Sequence, residues 1–245
     1  MIDFHCHLDL YKDPMSLLKR VLEQCSFVLA VTTSPRAWQI TSQKFCGIDC
    51  IHTAIGLHPE IVEQKKNEIN KLLENIKNSS YVGEVGIDGS PKNRQSLILQ
   101  REIFEQVIEE TENCDGKIIS IHSRFAVNDV LRILENHINK SSPVLHWFMG
   151  SIKELEWSNS LDCWYSINPV MFSTAKGRNL IANMPLDRIL PETDAPFAMN
   201  GIEPYMPWDT SIVISELSKL HNIELKVMEQ KIQNNLYNLN SQIIK

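Results

Sequence analysis

Eight times along this chain a short β-branched apolar run gives way to residues at helical spacing. The runs are Met1 to Phe4, Ser26 to Val31, Cys50 to Ile55, the Tyr81 stretch that carries Glu84, Lys117 to Ile121, Pro143 to Leu145, Asp162 to Ile167 and Arg188 to Leu190. Between them, Asp13-Pro14 and Ser34-Pro35 set an N-cap residue before a proline at the first helical position. A polar helix is expected over roughly Pro59 to Lys77. Leu99, Ile103 and Val107 mark another, Val127, Val130, Leu131 and Leu134 a third. The tail reads as helical through Val213, Leu217 and Leu220, then Leu225, Met228, Ile232, Leu236 and Leu239. Strand-helix alternation predicts parallel strands with right-handed crossovers. Eight such units in 245 residues match a (β/α)8 TIM barrel. A doubly wound open sheet is the alternative. The barrel is preferred because the polar candidates end the strands, and in a barrel those ends converge on one mouth. With no linker, residues 1–245 are expected to form a single domain.

Charge narrows the partners. The net charge is -6 and the pI about 5.8, which excludes a long basic face tracking phosphates. Nucleic acid remains a partner only through a local positive site, and metal ions can supply one. The N-terminus has no basic or apolar leader, and no apolar run approaches the ~20 residues of a membrane span, so no membrane partner is expected. Six cysteines spread through a full-sized domain are expected as thiols, which fits a cytoplasmic protein.

Residues two apart on a strand point to the same face, so His5 and His7 can grip one cation while Cys6 faces away. Glu84, where a β-branched run ends in glycine, is expected to bridge two divalent metal ions. The other ligands would be His5, His7, His122, His146 and Asp194. Of the eight histidines, His5, His7, His58, His122 and His146 stand at predicted strand ends, whereas His52, His137 and His221 are expected to be structural or solvated. Mixed imidazole and carboxylate ligands suit Zn2+ or Mn2+, and Mg2+ less comfortably. Asp194 sits in a turn stiffened by Pro196; it can ligate an ion and take a proton from water, the alternative being a helix cap. Glu192 is expected to orient the loop or a histidine. His58 and Arg124 are the natural substrate contacts, the arginine offering a planar fork to phosphate oxygens. A salt bridge across the rim is the alternative for Arg124, and Asp88 is expected to buttress its own loop.

The segments Asp3-Phe-His-Cys-His7, Gly56-Leu-His-Pro59, Gly83-Glu-Val-Gly-Ile-Asp88, Ile121-His-Ser-Arg124, His146-Trp-Phe-Met-Gly150 and Glu192-Thr-Asp-Ala-Pro196 come in this order along nearly the whole chain. Together they resemble the TatD family of metal-dependent deoxyribonucleases, within the amidohydrolase-like barrels; Asn234 to Asn238 is similar to that family's short C-terminal motif. The resemblance implies a bimetal centre with Glu84 between the ions, His5, His7 and Asp194 on one, His122 and His146 on the other. It places His58 at the family's phosphate-contacting histidine. It implies cleavage of DNA phosphodiester bonds from the 3′ end of a single strand. Related barrels bridge their metals with a carbamoylated lysine; Glu84 at that strand end points to the TatD branch. The chain departs from the family at Gly89, at Trp147-Phe148-Met149 and at the loop Phe197 to Pro204, which has no positive charge. Such departures suit a specialised member in an assembly with protein partners, and resemble the TatD-like component of a Qat-type anti-phage defence operon. Two other readings are an ester hydrolase, for instance on D-aminoacyl-tRNA, and a barrel scaffold without turnover.

Overall fold

A computed structural model describes residues 1–242. β1 (Ile2–Cys6), β2 (Phe27–Val31) and β3 (Ile51–Ala54) pair in parallel, in that order. So do β4 (Tyr81–Gly86), β5 (Ile118–His122), β6 (Ser142–His146), β7 (Trp164–Ile167) and β8 (Ile189–Pro191). Two seams join these sheets into a ring. At the first, Ile55 N donates to Tyr81 O at 3.2 Å and Gly83 N donates to Ile55 O at 2.8 Å. At the second, Asp194 N donates to His5 O at 2.9 Å and His7 N to Ala195 O at 2.8 Å. Deeper in this seam the Asp3 carboxylate accepts from Thr193 N and Thr193 Oγ1. The expected barrel is therefore the observed one, and the open sheet fails because the end of β8 returns to β1.

The crossovers carry α1 (Leu18–Gln24), α2 (Pro35–Lys44), α3 (Ile69–Ile76), α4 (Leu97–Asn113), α5 (Val127–His137), α6 (Ile152–Ser160) and α7 (Ala175–Asn183), with α8 (Ser211–His221) and α9 (Leu225–Ser241) closing the chain. Apart from β3, half-exposed at His52 and Thr53, the barrel strands are buried on both faces, which is why they read as near-continuous apolar runs. One layer of core joins Leu29, Val31, Val85 and Ile121 to the helices; a smaller one packs Cys6, Val28 and Ala30 against Val21 and Trp208. Cys6 thus faces away from the barrel's polar centre, as the alternation predicts. The six cysteines are free thiols, and no described helix is long and apolar enough to cross a membrane.

Three local expectations change. Asp13 caps as predicted, accepting from Ser16 N, but it opens a 3-10 turn at Pro14–Leu17, and α1 begins only at Leu18. The polar helix over Pro59 to Lys77 is broken into 3-10 turns at Pro59–Ile61 and Lys66–Glu68, with α3 limited to Ile69–Ile76. The reason is Glu68: its buried carboxylate leaves the helix surface to accept from Arg36 N and Lys65 Nζ, both at 2.9 Å. The loop after Pro196 forms an antiparallel hairpin, β9 (Met199–Asn200) and β10 (Glu203–Pro204), turning at Gly201 with φ of 67°.

Candidate metal centre

Two irregularities in the barrel aim its polar side chains. Asp3 and Cys6 on β1 oppose Val28 and Ala30 on β2, so β1 carries one extra residue there. Val82 and Val85 on β4 likewise oppose Ile119 and Ile121 on β5. Each is a bulge, which bends the strand and re-aims the neighbouring side chains. His5 lies within the first and Glu84 within the second. Thr32, just past β2, completes the pairing that the short β3 leaves open: Glu84 N donates to Thr32 O at 3.2 Å and Thr32 N to Gly83 O at 3.1 Å. β4 therefore does not stop at Glu84, as its glycines suggested, but runs on to Gly86.

The backbones approach closely here. A Cβ on Gly56 would stand 2.3 Å from Glu84 N, and one on Gly86 would stand 2.1 Å from His122 O. Gly56→Ala is accordingly expected to cost about 1–3 kcal/mol through overpacking, and to shift Glu84. The urea midpoint, read beside bound metal, checks this.

Glu84 sits at the centre of the arrangement, buried, with its two oxygens facing different partners. Oε2 lies 3.4 Å from His5 Nε2 and 3.1 Å from His7 Nε2. Asp194 Oδ1 closes that side at 3.5 Å from His5 Nε2 and 3.7 Å from His7 Nε2. Oε1 lies 2.7 Å from His122 Nδ1, and 3.2 Å from both His146 Nε2 and His58 Nε2. The structure thus gathers all six predicted ligands and His58 into one nest. Arg124 stays outside it, exposed on the rim, and makes no ion pair among the described residues. The outlying histidines are also elsewhere: His52 stacks on Phe27 with centroids 4.6 Å apart, and His137 Nε2 meets Glu105 Oε1 at 2.9 Å. Asp194 caps no helix; it holds a left-handed backbone at φ of 50° in the turn before the hairpin.

Outer partners hold the rings. His122 Nε2 lies 3.0 Å from Asp88 Oδ2, while Asp88 Oδ1 accepts from Ser90 N, so Asp88 both closes its loop and fixes a histidine. His5 Nδ1 lies 2.8 Å from Ser120 Oγ. Glu192 Oε1 stands 3.5 Å from His146 Nδ1 and accepts from Asn168 Nδ2 at 3.1 Å. Sequence reading missed Ser120, Asn168, Thr32 and the histidine contact of Asp88. Only Asp88 carried a signal, a carboxylate in the same strand-end motif as Glu84.

The charges depend on one another. Burial raises the Glu84 carboxyl, but His58, His146 and the His122 hydrogen bond outweigh it and hold the group well below its usual range. Burial disfavours charge on His146, yet Glu192 and Glu84 lift it well above the ordinary imidazole value. His5 falls well below that value, through burial and then the charge of His146. Burial pushes Asp194 up to about 7 against the pull of His146 and His7. His5 Nε2 and both ring nitrogens of His7 are buried without a hydrogen bond of acceptable geometry. Buried polar atoms are rarely left so. His5 Nε2 and His7 Nε2 both face Glu84 Oε2 and Asp194 Oδ1 within 3.7 Å, and imidazole nitrogens beside carboxylate oxygens are the donor set a borderline divalent cation takes. Three-residue ligand groups, His5-His7-Glu84, His5-His146-Glu192 and His58-Glu84-His122, meet the spacing such an ion requires. The residues present therefore fit a metal.

Comparison with known proteins agrees with the architecture. The sequence model of the family described as TatD related DNase matches residues 2–241. A protein of Buchnera aphidicola subsp. Baizongia pistaciae, named an uncharacterized metal-dependent hydrolase, is 29% identical over 259 residues, covering 98% of this chain and 97% of that one. The human protein named deoxyribonuclease TATDN3 is 25% identical over 269 residues, covering 96% and 93% of the two chains. The crystal structure of YJJV, a TatD homolog from Escherichia coli K12, aligns with a TM-score of 0.88 at 23% identity, over 98% of this chain and 97% of that one, a likeness in fold. With the family matched across almost its full length, this chain belongs to the TatD-related DNases, a family of metal-dependent hydrolases.

Proposed function

We propose that this protein hydrolyses phosphodiester bonds in DNA, as a 3′-5′ exonuclease on single-stranded ends, with two divalent ions held by His5, His7, Glu84, His122, His146 and Asp194. The observation that carries the reading is the division of Glu84: one oxygen faces His5 and His7, the other His122, His146 and His58. Bound ions supply Lewis acidity, lowering the pKa of water toward neutrality and offsetting charge that builds on a phosphate. Asp194, buried and poised, accepts the proton of the attacking water at Oδ1. His58 and Arg124 hold phosphate oxygens from the rim side. Ser120 and Asp88 hydrogen-bond the outer nitrogens of His5 and His122 and so turn the other nitrogens inward, and Glu192 stands 3.5 Å from the outer nitrogen of His146. A nest closed below by packed core favours a chain end over an internal bond. The human relative named a deoxyribonuclease supports DNA as the polymer. The β9–β10 hairpin, which carries no positive charge, supports a specialised member that works beside partner proteins, as in an anti-phage assembly.

That hairpin also favours a second reading, hydrolysis of an ester such as D-aminoacyl-tRNA. Labelled single strands and aminoacyl esters are to be compared under Mn2+, Mg2+ and Zn2+, with and without chelator, alongside metal analysis of the purified protein. Mononucleotides released from the 3′ end, and lost on chelation, are the expected result. Ester cleavage alone transfers the assignment, and no turnover under any ion leaves a scaffold. Asp88→Asn tests the outer contacts: metal affinity is expected to fall about 10–100-fold, read by competition with a chromophoric chelator.

A further inference from the structure

Two aromatic rings stand in water at the mouth of the barrel, and the metal nest does not account for them. Phe125 follows Arg124 in the loop after β5 and is 75% exposed. Its backbone holds φ of 53°, a conformation uncommon for a bulky residue and at home with glycine or asparagine. Gly89 lets the loop settle there: its N–H donates to Arg124 O at 2.8 Å, and a Cβ on it would lie 2.4 Å from Phe125 O. The fold thus holds a largely exposed ring on a backbone conformation uncommon for its kind. Phe197 follows Asp194 in the loop after β8 and is 56% exposed. Its ring meets His7 edge-on, with centroids 5.2 Å apart.

The surroundings select what these rings take. The Arg124 guanidinium lies 5.5 Å from the Phe125 ring centroid, so a cation adjoins that apolar face. His122, three residues before Phe125, touches Glu84 within the nest. A ligand spanning this rim carries a flat apolar face joined to an anion, and an unpaired nucleobase beside its own phosphate has that chemistry. Base stacking on aromatic side chains tolerates any sequence, because each base has a π face. We propose that Phe125 and Phe197 are stacking platforms for unpaired bases next to the scissile phosphate, Phe125 being the principal one. The inference rests on the nuclease reading and deepens it: the rings, rather than a basic surface, make the site select single strands. A duplex end, its bases paired and stacked, has no free face to offer.

The test uses the metal-loaded full chain, a short single strand ending in 2-aminopurine, and the same strand with an abasic end. 2-Aminopurine emission falls when the base stacks, so rapid mixing reports contact before cleavage. Wild-type protein is expected to quench the probe and to prefer the natural end over the abasic one. Phe125→Ala is expected to raise KM for the natural end roughly tenfold, to lose the quench and to lose that preference, with Phe125→Trp restoring all three. Equal quench and equal KM in Phe125→Ala overturn the assignment. So does a wild-type enzyme that cuts abasic and natural ends alike, an outcome that leaves the nuclease reading standing. Failure of the wild type to bind or cut either strand removes the nuclease reading and this inference together.

Discussion

Glu84→Gln is expected to lose most of its bound metal and to slow single-strand hydrolysis by roughly a thousandfold or more, about 4 kcal/mol of transition-state stabilisation. The substitution keeps the side chain's shape, so packing in the β4 bulge survives and the effect isolates charge. Glu84 contributes oxygens to both sides of the nest, within 3.4 Å of His5 and His7 and within 3.2 Å of His122, His146 and His58. An amide offers one weaker oxygen and turns its NH2 toward imidazole nitrogens that would otherwise ligate. It also removes the negative charge that holds five buried or half-buried histidines together. Metal analysis and single-turnover digestion of the same preparation give the reading. Wild-type rates in the variant would mean a different site or a contaminating nuclease.

Asp194→Asn is expected to lower kcat about 10²–10⁴-fold, the range of a general base. Its second signature lies in the pH profile. A base must be ionised to accept a proton, so the wild-type rate falls tenfold per pH unit below the pKa of that base and levels off above it. Burial sets the Asp194 carboxyl at about 7 without cations. Bound cations favour the ionised form, so the acid limb of the wild type is expected below pH 7. In Asp194→Asn that limb disappears, leaving a slow and flatter profile. Rates across pH 5–9 at saturating metal provide the measurement. An unchanged limb would assign it to another group, with Asp194 reduced to a ligand. Both variants leave Asp88, Ser120 and Glu192 in contact with their histidines, so loss of ring orientation does not explain either outcome.

Much of this protein is legible along the chain because the signals are local. A β-branched run buried on both faces looks the same wherever its partner strand lies, and a 3.6-residue period needs no knowledge of what it packs on. Hence the eight strands, most of the helices and the residues ending the strands could be read in order, and the barrel was preferred to an open sheet because those polar ends must converge. His-x-His illustrates both the reach and the limit. The two imidazoles do share a target while Cys6 faces away, but His5 sits in a bulge against Val28 and Ala30 that the spacing alone does not show. A second bulge aims Glu84.

The rest depended on partners remote in sequence. Bulges are set by register between strands, and the seam that brings Asp194 to His5 joins residues at opposite ends of the chain, with Asp3 bonded to Thr193 across it. Ser120 inside β5 and Thr32 just past β2 are ordinary polar residues until folding puts one on His5 and the other on Glu84. The break before α3 follows from Glu68 reaching across to Arg36. The rings at the rim could be named from the chain, but their exposure could not. Composition and periodicity specify which faces are buried; which polar atoms then meet is decided by closure of the ring, because only closure brings strand ends from the whole chain within bonding distance.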